Sequence, residues 1–87
     1  MTTFTDKAQL QADIRQVVAN IMEREPDTIP MDAHLVADLG ADSMNALELL
    51  ATLEKRYGIV IDPGNLPDMT SVARVGDIVW SILQARG

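Results

Sequence analysis

Eighty-seven residues can enclose one modest core, which excludes an enzyme built of two domains with a cleft between them. Apolar residues make up 47% of the chain, yet Phe4, Tyr57 and Trp80 are its only aromatics, so the interior is assembled from Leu, Ile, Val and Met, a composition suited to packed helices. The net charge of −6 is concentrated between Glu25 and Glu54, with seven acidic residues and no Lys or Arg; such a field repels nucleic-acid phosphates and suits a basic protein partner.

In chain order, Met1 to Lys7 meets charge at once and lacks an apolar stretch of signal-peptide length, and no segment approaches a membrane span, so a cytoplasmic protein without membrane insertion is expected. Leu10, Ile14, Val17, Val18 and Ile21 form one stripe of an amphipathic helix that begins near Thr5 or Asp6 and is ended by Pro26. The long connection to Ala41 is punctuated by Pro26, Pro30 and Gly40. It also holds Ile29, Leu35, Val36 and Leu39, which should pin it to the core.

Asp42 announces a second helix, because its carboxylate can accept from the free N–H groups of the first turn and stands at the positive end of the dipole. Ala46, Leu49, Leu50, Leu53 and Tyr57 supply its buried face, and Gly58 ends it. Ile59-Val60-Ile61 reads as extended, and Asp62-Pro63-Gly64-Asn65 as turn chemistry followed by one short helical turn before Met69. A third long helix follows, capped by Thr70 or Ser71, with Val72, Val75, Ile78, Val79, Ile82 and Leu83 inward and Gly76 as a weak point in its middle. The predicted fold is therefore all-α, a single domain over residues 1–87: a small three- to four-helix bundle with a long loop between the first two helices.

The usual catalytic sets are missing. His34, the only histidine, has no second histidine or cysteine with which to hold a metal and no nucleophile at triad spacing, so it reads as a loop residue without chemistry, and no metal site is expected. Any thiol would have to be imported, since the chain has no cysteine. What stands out is Asp38-Leu39-Gly40-Ala41-Asp42-Ser43-Met44, a turn that delivers Ser43 to the first position of a helix with its hydroxyl outward. A phosphate ester there would meet free N–H donors and the positive end of the dipole.

Leu35 to Met44 resembles the phosphopantetheine attachment motif of acyl carrier proteins, in which the serine of an Asp-Ser-Leu or Asp-Ser-Met triplet receives the prosthetic group. The similarity continues through Glu48 to Glu54 and Tyr57-Gly58-Ile59 to Thr70-Ser71-Val72. The resemblance implies a carrier rather than an enzyme, with 4'-phosphopantetheine from coenzyme A attached to Ser43 by a separate Mg²⁺-dependent phosphopantetheinyl transferase. Asp42 resembles the family's acid at this site, whose roles are recognition and positioning by the transferase. The implied partners are that transferase and acyl-transferring and synthase enzymes with basic docking surfaces, visited by a monomeric carrier.

On the second helix, Met44, Leu47 and Ala51 share a face other than the core stripe, beside Asn45 and Glu48, and read as an apolar docking strip rimmed by acid. The chain departs from the family at Asn45, where many carriers have an acid, and at Lys55-Arg56, where many fatty-acid carriers continue with acids. These departures leave fatty-acid, polyketide and specialised lipid biosynthesis open. A peptidyl or aminoacyl carrier, or a helical adaptor without a prosthetic group, are the alternatives. The aliphatic core around Leu49, Leu50, Leu53, Val75, Val79 and Ile82 is expected to open for a bound acyl chain.

Overall fold

The first helix starts from Asp6, whose extended backbone and carboxylate, accepting from the Gln9 N–H at 2.8 Å, make it the N-cap. The computed structural model describes residues 6–86, and Thr5, the other expected start, lies outside them. α1 (Lys7–Met22) buries Leu10, Ile14, Val17 and Val18 as the periodicity predicts, adds Ala19, and leaves Ile21 half-buried. It ends before Pro26 is reached. Glu23 turns left-handed at φ 55°, and the N–H groups of Glu23 and Arg24 reach back to the carbonyls of Asn20 and Ala19. Pro26 instead opens a short 3-10 turn (Pro26–Thr28), where its missing N–H leaves nothing unpaired.

The long connection is pinned, as expected, by Ile29 and Leu35, both buried. Two backbone hydrogen bonds tie it to the start of the last helix: the Leu35 N–H donates to the Thr70 carbonyl at 2.8 Å, and the Ala73 N–H to the Met31 carbonyl at 2.9 Å. Leu39 is half-buried, whereas Val36 is 58% exposed and does not serve as an anchor.

α2 (Ser43–Tyr57) buries Leu49, Leu53 and Tyr57 and ends on Gly58, left-handed at φ 64°. In the extended stretch that follows, Ile59 and Ile61 point into the core while Val60 is 83% exposed, the alternation of a two-residue period. A 3-10 segment (Pro63–Asp68) then leads to α3 (Val72–Arg86), whose cap is Ser71: its Oγ accepts from the Arg74 N–H at 3.1 Å. Val72, Val75 and Val79 are wholly buried, and Ile78, Ile82 and Leu83 pack at the margin. The described residues are all-helical, three helices and two 3-10 segments, with α1 packed against both α2 and α3. No described helix is long and apolar enough to cross a membrane.

The far end of α2 is clamped to α1. Arg56 donates from Nε and Nη2 to the two carboxylate oxygens of Asp13, at 2.7 and 2.6 Å, and the Tyr57 hydroxyl donates to the same carboxylate. The Arg56 hydrogen bond holds the Asp13 carboxyl below the usual carboxylate range, against the opposing effect of burial, with Tyr57 acting in the same direction as Arg56. Burial, with help from Asp13, raises the Tyr57 phenol, which stays protonated and able to donate. A carboxyl depressed by folding contributes stability that is complete above its unfolded value, near 4, and is lost as pH falls through the lower folded value. Asp13→Asn should therefore lower unfolding free energy at neutral pH by about 1–2 kcal/mol, a figure discounted for the partly exposed Arg56, and should flatten the acid limb of the stability curve below about pH 4. Urea unfolding at a series of pH values measures both effects.

Gly76, which reads in the sequence as a weakness, sits where α3 approaches α1 closely. It is buried, and a Cβ built there would lie 2.7 Å from Gln11 Cγ. Alanine would gain about 1 kcal/mol of helix propensity, but the crowding costs about 1–3 kcal/mol. Gly76→Ala is expected to destabilise by about 1 kcal/mol, and the same change in a Gln11→Ala background to stabilise by about 0.5–1 kcal/mol. Thermal unfolding of the four proteins completes the cycle.

Candidate functional site

The turn that precedes α2 is built from His34 to Ala41. The His34 ring accepts at Nδ1 from the N–H groups of Val36 and Ala37, at 3.2 and 3.0 Å, while the backbone N–H of His34 donates to the Asp38 carboxylate at 2.8 Å. Histidine thus takes the place a Ser or Asp would occupy at a helix start, a structural role that its isolation in the sequence does not reveal. Gly40, left-handed at φ 79°, closes the turn, its N–H donating to the Val36 carbonyl and that of Ala41 to the Leu35 carbonyl.

Asp42 and Asn45 then form a reciprocal cap. The Asp42 carboxylate accepts from the Asn45 N–H at 2.8 Å, and Asn45 Oδ1 accepts from the Asp42 N–H at 3.0 Å. This closure leaves Ser43 as the first residue of α2, exposed, with no hydrogen bond to its hydroxyl among the described residues. The N–H groups of Ser43 and Met44 are likewise without partners there. A reachable hydroxyl beside two outward N–H donors at the positive end of a 15-residue helix fits a phosphodiester, whose charge those donors can meet.

The other residues singled out from the sequence lie on the same helix. Met44 is 70% and Leu47 54% exposed, and Ala51, Glu48 and Asp42 are exposed as well. Glu48 stands on the side of α2 that faces α1, sharing a shallow groove with Asn20 and Thr52, and has no ion pair among the described residues. Arg56 borders the same groove but is committed to Asp13.

Beneath the start of α2 lies an apolar cavity of about 50 Å³. α1 contributes Val18, Ile21 and Met22, and α2 contributes Ala46 and Leu49. The turn adds Leu35, Val36 and Ala41, and the floor is Leu66 and Met69, with Asn45 as the one polar lining residue. Of the residues expected to open for a guest, only Leu49 lines this space; it belongs to the interval between α1, α2 and the 3-10 segment.

A family model described as the phosphopantetheine attachment site matches residues 12–79. The chain belongs to the acyl carrier protein family. It is 34% identical over 82 residues to the polyketide-8 synthase acyl carrier protein 2 of Streptomyces avermitilis, covering 94% of this chain and 90% of that protein. An acyl carrier protein of Sulfurovum sp. is 36% identical over 69 residues, covering 77% and 85% of the two chains. Among solved structures, a free-standing peptidyl carrier protein from an uncharacterized secondary metabolic pathway of Acinetobacter baumannii superposes with a TM-score of 0.81 at 34% identity, over 91% of this chain and 98% of that one.

Members of the acyl carrier protein family are carriers that hold 4'-phosphopantetheine, and they work with a phosphopantetheinyl transferase and with synthases. The imported thiol inferred from the absence of cysteine is what that group supplies. Sequence reasoning missed the part played by Asn45, which it noted as a neighbour of the apolar strip and as a departure from the family. The Asp42-x-x-Asn45 spacing was the available signal, since it is that of a capping box. It also missed the cavity lining, for which no local signal exists.

Proposed function

We propose that Ser43 bears the 4'-phosphopantetheine arm and that the chain, as a single cytoplasmic and monomeric carrier domain, presents acyl thioesters on it to the enzymes of a dedicated synthase. The observation that carries this reading is the exposed, unbonded Ser43 hydroxyl at the first position of α2, held there by the Asp42–Asn45 cap. In the transfer, Ser43 Oγ bonds to the phosphorus on the pantetheine side of the coenzyme A pyrophosphate. The bridging P–O bond breaks, the adenosine bisphosphate half leaves, and the hydroxyl proton passes to a base of the transferase. Ser71 does not compete, because it is buried and its Oγ already caps α3.

Asp42 serves recognition by the transferase, and Met44, Leu47 and Ala51 give partners an apolar strip with the unpaired Glu48 at its edge. Contacts of this kind are steered by charge and released quickly, as a carrier that visits several enzymes requires. Among acyl pathways, the likeness to a polyketide synthase carrier over nearly the whole chain, together with Asn45 and Lys55-Arg56 in place of acids, favours polyketide-type assembly over general fatty-acid synthesis. Peptidyl carriage is the second reading, favoured by the superposition on a free-standing peptidyl carrier. Loading assays with acyl and aminoacyl donors separate the two.

Incubation with coenzyme A, Mg²⁺ and a broad-specificity phosphopantetheinyl transferase should add one phosphopantetheine mass to the wild type. Ser43→Ala should keep its helical circular dichroism and gain none. Mass gain at Ser81 or Ser71 in that variant would refute the assignment.

Glu48→Lys should lower kcat/KM for transfer by the same enzyme several-fold and reduce its salt dependence, while changing stability by only a few tenths of a kcal/mol. Loss of the fold with unchanged transfer kinetics would make the strip a structural feature.

A further inference from the structure

We propose that Asn45 selects the cargo, donating a hydrogen bond from its side-chain amide at the edge of the apolar cavity to an oxygen close to the thioester. The carrier then favours β-hydroxyacyl and β-ketoacyl groups over saturated acyl groups of equal length. This inference rests on the reading that Ser43 bears the arm, and it assigns the substrate class of that site.

Three observations combine. First, the cavity is apolar on every side except at Asn45, which stands two residues after Ser43 and is half-buried. Second, the capping box fixes the amide's orientation: Oδ1 is taken by the Asp42 N–H at 3.0 Å, so the other end of the amide, Nδ2, is a donor with no hydrogen-bond partner among the described residues. Third, the cavity of about 50 Å³ has room for only a few water-sized groups, so the guest it suits is a short one, whose β-carbon lies within the lined space.

A saturated chain entering this space covers the amide without bonding it, and a half-buried donor stripped of water and left unpaired disfavours the bound state. An oxygen on the β-carbon accepts from Nδ2 and removes that penalty. A carboxylate at position 45 could accept from the Asp42 N–H equally well but would have no hydrogen to donate inward. The difference between asparagine and an acid at this place is thus a difference in which cargo is sheltered.

The test loads the wild type and the variants Asn45→Asp and Asn45→Leu from butyryl- and 3-hydroxybutyryl-coenzyme A with the transferase, and confirms loading by intact mass. Thioester cleavage by hydroxylamine is then timed, each rate being normalised to that of the corresponding free acyl-pantetheine. In the wild type the hydroxybutyryl thioester should be protected about two- to tenfold more than the butyryl one, the span of a single net hydrogen bond. Asn45→Asp, which keeps the cap, should lose that preference, and Asn45→Leu should reverse it by protecting butyryl cargo better. Equal protection of the two cargoes in the loaded wild type, or an unchanged preference in Asn45→Asp, overturns the role of Asn45 and leaves the carrier reading intact. Absence of any mass gain overturns the carrier reading and this inference together.

Discussion

The burial of Leu10, Ile14, Val17 and Val18 on one face of α1 is the contact on which the other elements depend, because α2 and α3 both pack on that helix. A chain of this size with three aromatic residues cannot build a second core, so a single helix supplies the wall for both neighbours. Gly76 permits α3 to approach it closely beside Gln11, and the ion pair of Lys7 with Asp77 lies along the same interface. On the other side, Asp13 receives Arg56 and Tyr57. The domain is held by aliphatic packing over most of its interior and by directed, charge-assisted bonds at one corner.

The first turn of α2 is organised differently. There the exposed side chains of Ser43, Met44 and Leu47, to which we assign attachment and docking, contribute little to the core, and the local structure is fixed by hydrogen bonds among near neighbours: the His34 turn, the Gly40 reversal and the Asp42–Asn45 cap. Local bonding of this kind lets a serine be placed accurately while it remains open to a partner enzyme. It also decouples the site from the core, so that residues on the strip can change to suit new partners with small effects on stability.

Much of this was legible in the sequence because it is encoded locally. Helical stripes repeat every three or four residues, Asp42 and Gly58 mark the two ends of α2, and the Asp42-Ser43 motif occupies adjacent positions. The Asp13–Arg56–Tyr57 clamp was not legible, since its members are 43 and 44 residues apart and each alone resembles an ordinary surface or core residue. The cavity was not legible for the same reason: its walls come from α1, the turn, α2 and the second 3-10 segment, and their juxtaposition exists only in the folded chain. Val36 was misread as an anchor because apolar character alone does not distinguish a residue that enters the core from one that borders a cavity and faces outward. Gly76 was legible as an anomaly, but its cause lies on another helix.

The position of the clamp has a mechanical consequence. α2 is fastened to α1 through Arg56 and Tyr57 at its last turn, where the Glu54 carboxylate also accepts from the Ile61 N–H at 2.8 Å, whereas the cavity lies under its first two turns. Over roughly 20 Å of helix, the element is a cantilever, fixed at one end and resting on deformable aliphatic side chains at the other. A small rotation about the fixed end displaces the serine end most and the clamp least. Space can therefore be made beneath Ser43 by tilting one rigid rod, with the hydrogen bonds within α2 and those of the clamp left unbroken.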